Sequence, residues 1–152
     1  MKTPTQEQFQ VVIDNLEKAL KISKNNAPVD MMSVDIAINK KYACGTPMCH
    51  AGWYLIATSK VTSHTSYSDG AELMAEHLGF ANDFYLKLWA KQNSDIWGNR
   101  EGESMFCSEN AFSTSEPFGL KTIIDHWKAV KERAGTAPDE DTPQPENEGD
   151  GE

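Results

Sequence analysis

Arginine is nearly absent from this chain: Arg100 and Arg133 are the only two in 152 residues. The lysines are scattered rather than gathered, so there is no basic stripe to follow a phosphate backbone, and direct nucleic-acid binding is disfavoured. Long apolar runs are missing as well. The longest, AGWYLIA at 51–57, is far too short to span a bilayer, and the opening MKTPTQEQFQ has no apolar core of a secretory signal. A cytoplasmic protein without a membrane partner is expected. Cysteine is scarce and odd in number, at Cys44, Cys49 and Cys107. In a chain with no export signal these read as reduced thiols, with a Cys44–Cys49 disulfide as the lesser alternative. No stretch alternates as a strand does and no segment repeats.

The net charge is −9, yet it is concentrated at one end. Residues 136–152, TAPDEDTPQPENEGDGE, hold seven acids, three prolines and no lysine or arginine, leaving 16 acids against 14 bases in the remainder. Such a tail buries too little apolar surface to offset the entropy of ordering it and is expected to be disordered. It reads as a solubilising segment, with docking on a basic partner as the alternative. Residues 1–135 are left as one domain, long enough to build a core without disulfide or metal support.

What is present is helical periodicity. Thr3, Pro4 and Gln6 read as an N-cap, a first-turn proline and a capping-box glutamine, followed by Phe9, Val12, Ile13, Leu16, Ala19 and Leu20 on one face. Thr46-Pro47 repeats the cap logic and predicts a central helix over 47–59, apolar all round, with Gly52 at a close backbone approach. Ser68-Asp69 starts a third helix that Gly79-Phe80 stops, Asn82 caps a fourth, and Leu120, Ile123, Ile124, Trp127 and Val130 mark a last one over 117–133. Between them, 92–115 is polar and aperiodic and reads as a long loop. The expected fold is all-α: a compact bundle of about five helices.

The densest chemical stretch is CGTPMCHAGW, Cys44 to Trp53. Together with AELMAEHLGF and FYLKLW, it resembles a group of short bacterial and bacteriophage proteins that share a Cys-Gly-Thr-x-x-Cys-x-Ala-Gly-Trp-like turn, an Ala-x-x-Leu-Leu-Gly-Leu-like helix and an aromatic-rich helix. The likeness covers roughly 29–127, and the polar stretch from Gln92 and the acidic tail look like additions. That group has no assigned activity, so the resemblance implies a helical, cytosolic domain and carries over no catalytic residues. His50 stands where an apolar residue is more usual in the group.

Three readings of the motif compete. In the first turn of a helix Cys49 would have a lowered thiol pKa and could act as a nucleophile, with His126 as the base; no sequence signature ties a histidine to it. A zinc site would draw on Cys44, Cys49 and Cys107 with a distant histidine, although the C-x4-C spacing is not a usual zinc pattern. The third reading is structural: Gly45, Thr46, Pro47 and Gly52 form the turn that launches the central helix, and no cofactor is needed. NSDIWGNREGES, from Asn93, fails as a calcium loop because Trp97 and Ser104 occupy ligand positions. The remaining anomaly is seven aromatic rings between Phe84 and Phe118. Rings on a polar loop suggest a protein-binding surface, with Trp89, Trp97, Phe106 and Phe112 as its contacts. The expected function is protein–protein interaction by a bacterial or phage accessory or regulatory factor, with a protein partner whose identity the residues do not specify; the cysteine hydrolase and the zinc protein are the alternatives.

Overall fold

The computed structural model describes residues 2–22, 50–58, 67–106, 108–112 and 119–136. These form α1 (Gln6–Ile22), α2 (His50–Thr58), α3 (Tyr67–His77), α4 (Asp83–Gln92), α5 (Ser94–Trp97) and α6 (Leu120–Thr136), with 3-10 turns at Gly102–Ser104 and Glu109–Ala111. The all-α bundle expected from periodicity is what the described residues adopt. The acidic tail beyond Thr136 and the turn residues Gly45, Thr46 and Pro47 lie outside the described residues.

α1 packs along α6 and against α2, while α3 fills the angle between α2 and α4. Its apolar face, Phe9, Val12, Ile13, Leu16 and Ala19, is fully inside. A polar seam flanks it: Lys128 pairs with Glu17 at 3.0 Å, and Lys131 Nζ donates to Gln10 Oε1 at 2.6 Å. The helix starts two residues later than Thr3-Pro4 suggested. Thr5 is the cap: Gln8 N donates to Thr5 Oγ1 at 3.1 Å and Thr5 N to Gln8 Oε1 at 2.8 Å, a reciprocal capping box. Thr3 serves elsewhere, its Oγ1 accepting from the indole of Trp89 at 3.2 Å.

α2 is buried from His50 to Ala57, as its unbroken apolar sequence requires. Gly52 lies buried within it, and the close backbone approach that the structure records on this helix involves Gly70 of α3. A Cβ there would sit 2.1 Å from the Ala51 carbonyl oxygen, so only glycine lets the two helices meet. α3 ends as its sequence predicts. Gly79 adopts φ +90°, Phe80 N donates to Ala75 O at 2.9 Å and Gly79 N to Glu76 O at 3.0 Å, a Schellman stop with Phe80 folded inward. Asn82 caps α4 through Oδ1 to the amides of Phe84 and Tyr85, again as read from the sequence.

Residues 92–115 differ from expectation. The described part is a chain of short turns whose Ile96, Trp97, Met105, Phe106, Ala111 and Phe112 all point into the core. Each turn contributes only one or two inward residues, too few for a period to register, so polar outward residues dominate the sequence and hide the packing.

Among the described residues no helix is long and apolar enough to cross a membrane.

Candidate functional site

The four aromatics assigned to a partner surface sit inside the molecule. Trp89, Trp97, Phe106 and Phe112 are each less than 5% exposed. Trp89 lies on the inner face of α4, and the other three belong to the turn chain just described, which folds its rings back onto α2, α4 and α6. Trp97 meets Trp127 edge to face at 5.1 Å and donates its indole N–H to the Ala111 carbonyl at 2.7 Å. Arg133, from the last turns of α6, closes the end of α5 by donating from Nε to Ile96 O (2.7 Å) and from Nη2 to Trp97 O (2.9 Å). Gly98 allows this, ending α5 at φ +110° where a Cβ would lie 2.6 Å from Arg133 Nη2.

Two histidines join these rings. His50, first residue of α2, is completely buried, stacked on Phe106 (centroids 5.1 Å apart, planes 13° apart) and edge-on to Phe112 at 5.2 Å. His126 lies 4.4 Å from Trp97 and edge-on to the same Phe112 at 5.1 Å. Among the described residues neither ring nitrogen of His50 has a hydrogen-bond partner. Burial, and secondarily the nearby His126, push the His50 imidazole down to about 3 from its ordinary 6.5. Burial and the Arg133 guanidinium bring His126 down to about 4, against the opposing pull of its bond to the Trp97 backbone. Both rings are therefore neutral under ordinary conditions.

These positions bear on the chemical alternatives. Cys44, Cys49 and Cys107, the thiols of the nucleophile and zinc readings, lie outside the described residues. His126, the base in the nucleophile reading, is a weak one: enclosed by Trp97 and Phe112 and repelled by Arg133, it holds a proton poorly. Among the described residues no three histidine, cysteine or carboxylate side chains converge as metal ligands.

A second polar group was missed in the sequence. Tyr54, buried on α2, has its hydroxyl 2.5 Å from His77 Nδ1 and accepts from Asn15 Nδ2 at 3.1 Å, tying α1, α2 and α3 together. No motif announces it, because the three residues are 39 and 23 positions apart.

Among the described residues, a different aromatic pair stands on the surface. Phe84 and Tyr85, in the first turn of α4, are 60% and 42% exposed and pack edge to face on each other at 5.3 Å. The salt bridge between Asp83 and Lys87, at 3.3 Å, lies on the same turn. No protein-family model matches the chain, and no curated protein or solved structure matches it.

Proposed function

We propose that the protein acts by binding another protein, as an accessory or regulatory factor of a bacterium or bacteriophage, and that Phe84 and Tyr85 anchor the partner. The observation that carries this reading is the exposure of two adjoining rings, 60% and 42%, on a molecule that packs its other described large aromatics inside. Rigid aromatic side chains supply much of the affinity at protein interfaces, because they bury a large area while losing little rotamer freedom. Two rings cover only the centre of an interface, so the Asp83–Lys87 pair would fall in its polar rim.

The test compares partners captured by the full chain and by a Phe84→Ser/Tyr85→Ser variant. Exposed substitutions of this kind change stability by about 0.5 kcal/mol or less each, so circular dichroism and melting should be preserved. A partner enriched by the wild type should bind the variant at least about tenfold more weakly, as expected when an aromatic anchor is removed. An unchanged partner set and affinity would overturn the assignment.

A further inference from the structure

Two imidazoles grip the 94–112 segment from different helices. His50 on α2 holds Phe106 face to face and Phe112 edge to face; His126 on α6 holds Phe112 and Trp97. Phe112 is the ring common to both, so α2, the segment and α6 meet through one sandwich. The segment presents neutral rings to both histidines and, to His126, the Trp97 backbone bond, whose pull toward the charged form is outweighed by burial and by Arg133. Among the described residues, the charged or titratable groups that act on them are cationic or become so on protonation: His126 on His50, and Arg133 on His126. Asp125, next to His126 in sequence, is exposed and faces Lys121 at 3.9 Å. Cys49 and Cys107, the chain neighbours of His50 and Phe106, lie outside the described residues.

We propose that the His50–Phe112–His126 sandwich is a proton-sensitive latch, in which a proton taken up by either imidazole releases the 94–112 segment while α1 stays packed on α3 and α6. α1 meets α6 through Phe9 on Trp127 and through the polar seam to Lys128 and Lys131, and none of these contacts involves the two imidazoles. A charged ring inside the sandwich would lose its hydration and sit beside a second imidazole or a guanidinium. The face of Phe106 recovers part of that cost for His50, but water recovers all of it once the segment lifts.

The direction of the effect follows from proton linkage. An imidazole held closed takes a proton only near pH 3 to 4, whereas a released one takes it at about 6.5. Above that value the latch is indifferent to pH. Below it, opening is favoured by up to about tenfold per pH unit for each imidazole, until the closed form also protonates.

Hydrogen exchange read by mass spectrometry on the full chain tests this, with protection compared between the 94–112 amides and those of α1 from about pH 7.5 to about pH 4.5. We expect the protection of 94–112 relative to α1 to be constant above about pH 6.5 and to fall about tenfold or more per unit below it. His50→Phe and His126→Gln should each lower that slope. Should either variant fail to fold, the imidazole proton resonances of the wild-type chain decide instead: both histidines must stay neutral at pH 5.5 while the segment is closed. A protection ratio independent of pH, simultaneous loss of α1 and the segment, or a folded-state His50 titrating near its ordinary value would each overturn the latch.

Discussion

Arg133 donates to the main-chain oxygen of Trp97 at 2.9 Å, and this bond ties the last turns of α6 to a four-residue helix in the middle of the chain. A helix that short cannot persist alone, since nucleating a turn costs more than one or two bonds return. α5 therefore depends on its neighbours. The second bond of the guanidinium, to Ile96 O at 2.7 Å, makes the contact a planar fork that an ammonium group cannot reproduce.

Arg133→Lys should thus behave more like a loss than a conservative change. We expect Arg133→Met and Arg133→Lys each to lower unfolding free energy by about 1–3 kcal/mol, in line with hydrogen bonds to charged groups. Urea unfolding checks this; a lysine variant as stable as the wild type would contradict it.

Gly70 sets the spacing of α2 and α3. With its missing Cβ projected 2.1 Å from the Ala51 carbonyl oxygen, Gly70→Ala must push the helices apart, despite alanine's better helix propensity. The expected outcome is a loss of about 1–3 kcal/mol, typical of overpacking. Gain of stability on thermal melting would show that the helices do not approach as described.

These two contacts also show what the sequence could and could not disclose. Helices of ten or more residues announced themselves: the apolar face of α1, the Gly79-Phe80 stop and the Asn82 cap are all where local rules place them. At the start of α1 the cap is Thr5 and not Thr3, whose hydroxyl is taken by a tertiary bond to Trp89 that no local pattern encodes. The 94–112 stretch was misread for the same kind of reason. Its rings are buried by turns only three or four residues long, and the arginine and histidine that hold them come from helices far off in sequence. Chemistry was visible at the cysteines, whereas nothing set the exposed Phe84–Tyr85 pair apart from the other rings of 84–118, because sequence spacing does not show which face of a short helix a neighbour covers.

Tyr54 predicts an alkaline limb of stability. Burial pushes its hydroxyl up to about 12 from the ordinary 10, with the Asn15 hydrogen bond pulling the other way. The unfolded phenol loses its proton first, so the unfolded chain binds fewer protons above its own pKa. Stability from this group is whole below about pH 10 and drains as pH rises to about 12. Tyr54→Phe should remove the Tyr54 share of that slope, at a cost of about 1 kcal/mol near neutrality for the bonds to Asn15 and His77. An alkaline limb identical in wild type and variant would place the titration elsewhere.

The claim on which the whole account turns is that the 94–112 aromatics are core and that the aromatic surface is Phe84–Tyr85. The most direct measurement is urea unfolding of Trp97→Ala beside Phe84→Ser. Deleting a fully buried indole should cost about 3–5 kcal/mol, whereas the exposed ring should cost about 0.5 kcal/mol or less. A Trp97→Ala protein as stable as the wild type would contradict the account and return the 94–112 stretch to the surface.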